Sequence, residues 1–312
     1  VKEAVGLVAA AARRGDVHAM HQLALWHVYG EPLSRDFGVA RRLFELAGTS
    51  GHSASAIIHA VFVALGAGGL PPDWSRAVDL LRAAARTDRA AAAQISLLDA
   101  MPLTRIGTPK FVPEVRPLSR RPHVEVIRNL FSNVECAHVA SLAQPRLAPS
   151  VVVDSTTGRM MQHPIRTSDG AVLGPIQQDL VIEALNRRIA TVTRTSPEQG
   201  EPLGVLRYAP GQQYRLHHDC LPGESNQRVL TVIVYLNDGY AGGRTRFPGA
   251  DIEFKGRVGD AIVIANTVGD LVDQASRHAG LPVETGEKWV CTRWIRARDF
   301  DPWGMRATKP NL

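Results

Sequence analysis

The chain has 312 residues, 45% of them hydrophobic and 21% charged, which is the composition of a folded globular protein and not of a disordered one. No apolar run reaches the roughly 18 residues of a membrane-spanning helix, and the net charge of +6 comes without a dense basic run interleaved with aromatics, so neither a membrane nor nucleic acid is expected as a partner. The three cysteines, Cys136, Cys220 and Cys291, are odd in number and widely spaced; this argues against a disulfide framework or a cysteine zinc site and fits a reducing, cytoplasmic compartment.

At about 100–200 residues per domain, the length predicts two domains. The first residues place their apolar stretch before the Arg13-Arg14 pair, the reverse of a signal peptide. The chain does not begin with Met, which fits a start inside a longer gene product. Residues 1–102 are rich in Ala and Leu and contain a repeat. Gly15 and Gly51, like Gly30 and Gly66, lie 36 residues apart; Asp36 and Asp73, Ala40 and Ala77, and Ala47 and Ala84 lie 37 apart, the extra residue entering at Gly68-Gly69. The glycines suit the positive φ just past a helix end. The aspartates suit helix N-caps. A helix pair of this size cannot bury its apolar face alone, so successive units are expected to stack. The pattern resembles the Sel1-like repeat, a relative of the tetratricopeptide repeat, and the resemblance implies a helical solenoid that docks a peptide or protein, or else braces a second domain.

Residues 103–122 carry prolines and basic residues without periodicity and read as a linker. Ser132 and Glu135 form a capping box that opens a helix running to about Leu142. Ile176, Leu180, Val181, Ala184, Leu185 and Ile189 form a helical stripe. Short β-rich segments come next, at 203–208, 214–219, 228–236, 260–265 and 288–296, punctuated by Gly, Pro, Asn and Asp. Many short strands of this kind predict a sandwich or jelly roll from 123 to 300. Residues 301–312 read as a tail.

Within Tyr214-Arg215-Leu216-His217-His218-Asp219, side chains two apart in a strand share a face. His217 and Asp219 therefore point one way and His218 the other. An imidazole and a carboxylate on one face make two-thirds of the 2-His-1-carboxylate triad that suits non-haem Fe(II) oxygenases. The third ligand must come from a distant strand, and His278, 59 residues beyond Asp219, is the best candidate. Lys288 comes ten residues later. From a strand next to the ligand strand it could reach across the pocket to the far carboxylate of a metal-chelating dicarboxylate. A zinc hydrolase would use similar ligand types but would leave Lys288 without a purpose. Tyr208, Tyr214, Thr245, Trp289 and Trp294 also have structural readings as strand, hairpin or core residues. Cys220 reads as an oxidation-prone bystander beside the metal. His163 and the repeat-domain histidines His18, His21, His27, His52 and His59 read as structural or surface residues.

From about residue 123 to 300 the sequence resembles the prolyl 4-hydroxylase family of Fe(II)/2-oxoglutarate dioxygenases. The resemblance is carried by Tyr214, His217 and Asp219; by His278, Gly280, Pro282, Val283, Gly286, Lys288 and Trp289; by Gly242, Gly243 and Thr245; and by Arg166, Thr167 and Ser168. It implies a double-stranded β-helix with iron held by His217, Asp219 and His278. Lys288 would bind the distal carboxylate of 2-oxoglutarate with help from Tyr208 and Thr245, and Trp294 would pack nearby. Arg166 and Ser168 would lie on a mobile loop at the substrate entrance, with Tyr214 as a further substrate contact. O2 is the second cosubstrate, and the resemblance also admits ascorbate. His218 and Cys220 depart from the aromatic residues common at their positions, which changes the site wall and not the ligand set. The implied reaction is hydroxylation of an unactivated C–H bond with release of succinate and CO2. A prolyl or other residue of a polypeptide is the first substrate class, and a free amino acid or small natural product the second. A non-catalytic repeat-based interaction protein is the reading from another class.

Overall fold

The computed structural model describes residues 1–153, 160–162 and 165–306; His163 and residues 307–312 of the expected tail lie outside the described residues. The chain divides into two compact units. One comprises Val1–Lys110, Gln178–Ala184 and Asp301–Leu312, the other Phe111–Gln177 and Leu185–Phe300.

The first unit begins with six helices: α1 (Lys2–Arg13), α2 (Val17–Tyr29), α3 (Phe37–Thr49), α4 (Ser53–Leu65), α5 (Trp74–Ala84) and α6 (Arg89–Ala100). The expected caps are present. Asp36 and Asp73 accept hydrogen bonds from the Val39 and Arg76 amides, and Asp16 and Asp88 do the same for Ala19 and Ala91. Each satisfies one of the amides that a helix start leaves without a partner. Gly30 and Gly66 end α2 and α4 at φ of 81° and 70°. At Gly66 a Cβ would also stand 2.5 Å from the Leu70 carbonyl oxygen, so only glycine fits. Buried Ala40, Ala47 and Ala77 let neighbouring helices approach around Phe44, Phe62 and Leu81. The histidines here are structural: His52 Nδ1 caps α4 by accepting from the Ser55 amide, and the Ser55 hydroxyl bonds both His52 and His21.

The second unit is built on two antiparallel sheets. The larger has eight strands in the order Val115–Arg120, His123–Ile127, Ala261–Ala265, Arg228–Tyr235, Lys288–Arg296, Leu203–Tyr208, Asp169–Leu173 and Ala148–Pro149. The smaller has four, in the order Ile252–Phe254, Thr245–Phe247, His278–Gly280 and Tyr214–His217. Helix α7 (Asn133–Ala143) opens on the capping box of Ser132 and Glu135. Val126, Leu206, Tyr235, Ile262 and Val290 of the large sheet and Phe247 and Phe254 of the small one share one buried cluster, so the core lies between the sheets, as in a jelly roll.

Three expectations change. Residues 115–120, expected within a linker, form an edge strand paired with His123–Ile127; an edge strand needs hydrogen bonds on one side only, so Pro117 is tolerated. The helix expected from Ile176 starts at Leu180 as α8 (Leu180–Thr193), because Asp179 caps it by accepting from the Ile182 amide. Ile176 therefore precedes the helix. Residues 301–306, expected within a tail, group with the first unit, where Asp301 accepts from the Met305 and Arg306 amides.

Candidate active site

The Tyr214–His217 strand pairs with His278–Gly280 so that His217 stands directly opposite His278. The strand ends at His217, two residues short of expectation. Asp219 lies in the bend beyond it and still turns its carboxylate to the same side. Asp219 Oδ1 is 3.5 Å from His217 Nε2, and Oδ2 is 3.6 Å from His278 Nε2. One donor atom from each residue lies within 4.8 Å of the others, a group able to hold a metal ion, and all three side chains are buried. Both imidazoles turn Nε2 inward because Nδ1 is tied to a carbonyl two residues back, Arg215 O at 2.8 Å for His217 and Ser276 O at 3.0 Å for His278. Such outer bonds fix the tautomer and ring orientation of a ligand histidine. His218 faces away, with Nε2 3.1 Å from Gln274 Oε1.

The electrostatics favour the metal-binding forms. Burial alone would raise the Asp219 carboxyl. The hydrogen bond from His217, the charges on His278 and His217, and the Thr231 hydroxyl outweigh it and hold the group well below the usual carboxylate range. Burial, opposed by Asp219, lowers His278. A carboxylate and a neutral imidazole are the protonation states a metal requires.

The pocket over this cluster has a volume of about 40 Å³ and is walled by both sheets. The large sheet contributes alternate residues: Leu206 and Tyr208, Thr231 and Ile233, and Lys288, Val290, Thr292 and Trp294. Lys288 is 4% exposed. It belongs to the sheet opposite the ligand strands, not to a strand next to them, and pairs across the strand with Tyr208. Its Nζ donates to Gly243 O at 2.7 Å and lies 5.6 Å from the ring centres of Tyr208 and Tyr235. Gly243 can present that carbonyl because Gly242 and Gly243 adopt φ of +69° and +60°, a conformation costly for residues with a Cβ. Burial, reinforced by Lys255, lowers Lys288 to about 8. No carboxylate pairs with it in any ion pair among the described residues, so a buried cation lines the pocket without an anionic side chain of its own.

The remaining expected residues divide. Thr245 is buried, and its hydroxyl lies 2.8 Å from the Tyr235 hydroxyl. Tyr214 stacks on His217 at 3.4 Å between ring centres. Arg166 forms a β-bridge with Tyr214 and holds its guanidinium 5.5 Å from the Tyr214 ring. Trp294 lines the pocket under the guanidinium of Arg228 at 3.9 Å and is half-buried, as is Trp289, so neither is full core. Ser168 is not at an entrance. It is fully buried, its hydroxyl 3.1 Å from that of Ser150 and hydrogen-bonded to the Tyr208 phenol. Cys220 is half-buried and its thiol donates to the carbonyls of Arg228 and Asn266.

Three residues of the site carry no signal of their own in the sequence. Tyr235 meets Thr245. Thr231 donates to Asp219 Oδ2 at 2.6 Å, and Asn266 Nδ2 donates to Thr231 at 2.9 Å. Thr231 and Tyr235 sit two and six residues along from Val229 on one strand, so the period-two pattern is the one feature that could single them out.

The pattern of the 2OG-Fe(II) oxygenase superfamily matches residues 203–296. Prolyl 4-hydroxylase 1 of Arabidopsis thaliana is 37% identical over 216 residues, covering 63% of this chain and 75% of the relative. Prolyl 4-hydroxylase 5 of the same plant is 36% identical over 211 residues, covering 60% and 72%. Among solved structures, the viral collagen prolyl hydroxylase from Paramecium bursaria Chlorella virus-1, in complex with 2-oxoglutarate, is 26% identical, with a TM-score of 0.45 and coverage of 56% of this chain and 96% of that one. The chain belongs to the prolyl 4-hydroxylase family of Fe(II)- and 2-oxoglutarate-dependent dioxygenases.

Proposed function

We propose that this dioxygenase hydroxylates prolyl residues of a peptide or protein, with iron held by His217, Asp219 and His278. The observation that carries the substrate class is the 37% identity to a named prolyl 4-hydroxylase across three-quarters of that relative. The observation that supports the ligand set is the buried three-donor cluster at the base of a pocket whose opposite wall carries Lys288. When bound, iron and 2-oxoglutarate supply the oxidising chemistry that turns O2 into a hydroxyl group on carbon, with succinate and CO2 as the other products.

The chain's own residues bind and orient. Lys288 pairs with the distal carboxylate of 2-oxoglutarate in a water-poor site, where a charge pair is far stronger than in water. The hydroxyls of Thr245 and Tyr208 complete that end, with Tyr235 behind Thr245. Leu206, Ile233 and Val290 exclude water. Trp294 Nε1, buried without a hydrogen-bond partner among the described residues, offers a donor to a bound polar group. Tyr214, with Arg166 against its ring, stands on the side of the pocket that a substrate meets, and Ser168 orients Tyr208.

Residues 1–102 are read as Sel1-like repeats that dock the polypeptide ahead of a dioxygenase domain at 123–300 with a double-stranded β-helix fold. The recurring caps at Asp36 and Asp73 and the helix ends at Gly30 and Gly66 support the repeat. Incubation with Fe(II), 2-oxoglutarate and O2, followed by mass spectrometry, tests the function. Proline-containing polypeptides should gain one oxygen atom on a prolyl ring, matched by succinate. Oxygen gained only by free amino acids or small metabolites would replace the substrate class, and no succinate with any substrate would reject the activity.

A further inference from the structure

The two oxygens of Asp219 have different surroundings. Each faces one imidazole Nε2, Oδ1 that of His217 at 3.5 Å and Oδ2 that of His278 at 3.6 Å, but Oδ2 alone also accepts a hydroxyl, that of Thr231 at 2.6 Å. Thr231 has one proton to give and gives it to Asp219. Its oxygen must then accept from Asn266, which sets the amide with Nδ2 toward Thr231 at 2.9 Å. Both side chains are 1% exposed, so neither bond is diluted by solvent.

The connection continues through the main chain. The Asn266 amide donates to Val229 O at 2.9 Å, and Asn266 O accepts the Asp273 amide at 2.9 Å. Asp273 O accepts the Ser276 amide at 3.0 Å and the Ser276 hydroxyl at 2.8 Å. Ser276 O in turn holds His278 Nδ1 at 3.0 Å. A hydrogen-bonded path thus runs from the carboxylate to the distant imidazole, with Asn266 at its centre.

We infer that Thr231 and Asn266 are positioning residues that hold Asp219 as a one-oxygen ligand. This rests on the assignment of His217, Asp219 and His278 as the metal ligands. A carboxylate free to rotate can offer both oxygens and occupy an extra coordination position. With Oδ2 engaged by Thr231, Oδ1 alone is offered, and the positions that the keto acid and O2 need stay open. Asn266 keeps the Thr231 hydroxyl aimed by filling its acceptor side. Bonds of this outer kind are commonly worth 10–100-fold in metal affinity.

Titration of the metal-free protein with Co(II), followed by visible absorption, reads affinity and coordination number without turnover. Thr231→Val keeps the shape and removes the donor. It should weaken Co(II) binding by about 10–100-fold and shift the spectrum toward higher coordination. Thr231→Ser should return both to within about threefold of the parent, and Asn266→Ala should weaken binding in the same direction by a smaller factor. Should Thr231→Val not fold, Asn266→Ala and Thr231→Ser decide on the same criteria. Parent-like affinity and spectrum in a folded variant lacking the Thr231 or Asn266 donor overturn the inference. Undiminished Co(II) binding by His278→Ala would instead overturn the ligand assignment on which it rests.

Discussion

Lys288 is the cation proposed to meet the cosubstrate, and its titration gives a prediction with a definite sign. Burial brings it to about 8, against about 10.4 in an unfolded chain. Between those values the unfolded state binds more protons, so the stability of the ligand-free fold rises with pH across that window; below it the cost of burying the ammonium is fully present. Binding has the opposite sense, because a distal carboxylate needs the ammonium. The KM for 2-oxoglutarate should therefore climb as pH passes upward through about 8. Lys288→Met should raise that KM by about 10–100-fold, the worth of a hydrogen bond to a charged group, and abolish its pH dependence. Succinate release at varied 2-oxoglutarate on both sides of that pH checks both. A KM unaffected by the substitution would remove Lys288 from the cosubstrate site. His217, Asp219, His278 and Lys288 were legible in the sequence because charged and metal-ligating types stood at spacings with a chemical meaning. Thr231 and Tyr235 were not, because both are ordinary strand formers; only their cross-sheet neighbours give them a role. Ser168 was misplaced for a related reason: its hydroxyl suits an entrance loop as well as a buried bond to Tyr208.

At the scale of elements, local rules located the helices and strands, and partners remote in sequence decided their ends and ties. Glu135 illustrates this. The sequence showed it as half of a capping box with Ser132, and that box forms. The same carboxylate also takes a two-pronged ion pair from Arg188 on α8, at 2.7 and 2.8 Å, while Arg188 donates further to Leu130 O at 2.9 Å. Glu135 and Arg188 are 5% and 8% exposed. Removing one member of such a pair leaves the other buried and uncompensated. Glu135→Ala should thus destabilise the fold by about 3–5 kcal/mol, well beyond the roughly 1 kcal/mol of a lost cap, as read by urea denaturation. A loss of only the cap's size would show that the ion pair contributes little net stability. The strand at 115–120 was illegible for the complementary reason: Pro117 and the prolines around the strand read as linker, and only the neighbouring His123–Ile127 strand makes it part of a sheet.

For the whole molecule, the change from Ala-rich helices to Gly- and Pro-punctuated strands was visible in composition, and the chain divides at Lys110 and Phe111. Composition could not show that Gln178–Ala184 and residues 301–306 group with the helices, since chain order does not constrain which unit a short segment joins. If the helical unit docks the polypeptide, it needs a surface that can receive one. A groove formed by α3, α4 and α5 has a volume of about 210 Å³, and Leu80, Ala84 and the buried His59 are among the residues that line it. Ala83 lies on its wall and is exposed, so a larger side chain there fills the groove without disturbing the core. Tethering a polypeptide at one site raises its effective concentration at another, and a linked second contact can strengthen binding by 10²-fold or more. Ala83→Arg should therefore raise the KM for a long proline-containing polypeptide about tenfold or more. The kcat, and the KM for a short prolyl peptide that cannot span both places, should stay unchanged. The same rise for short and long substrates would indicate damage to the fold, and no rise for either would leave the helices as a brace.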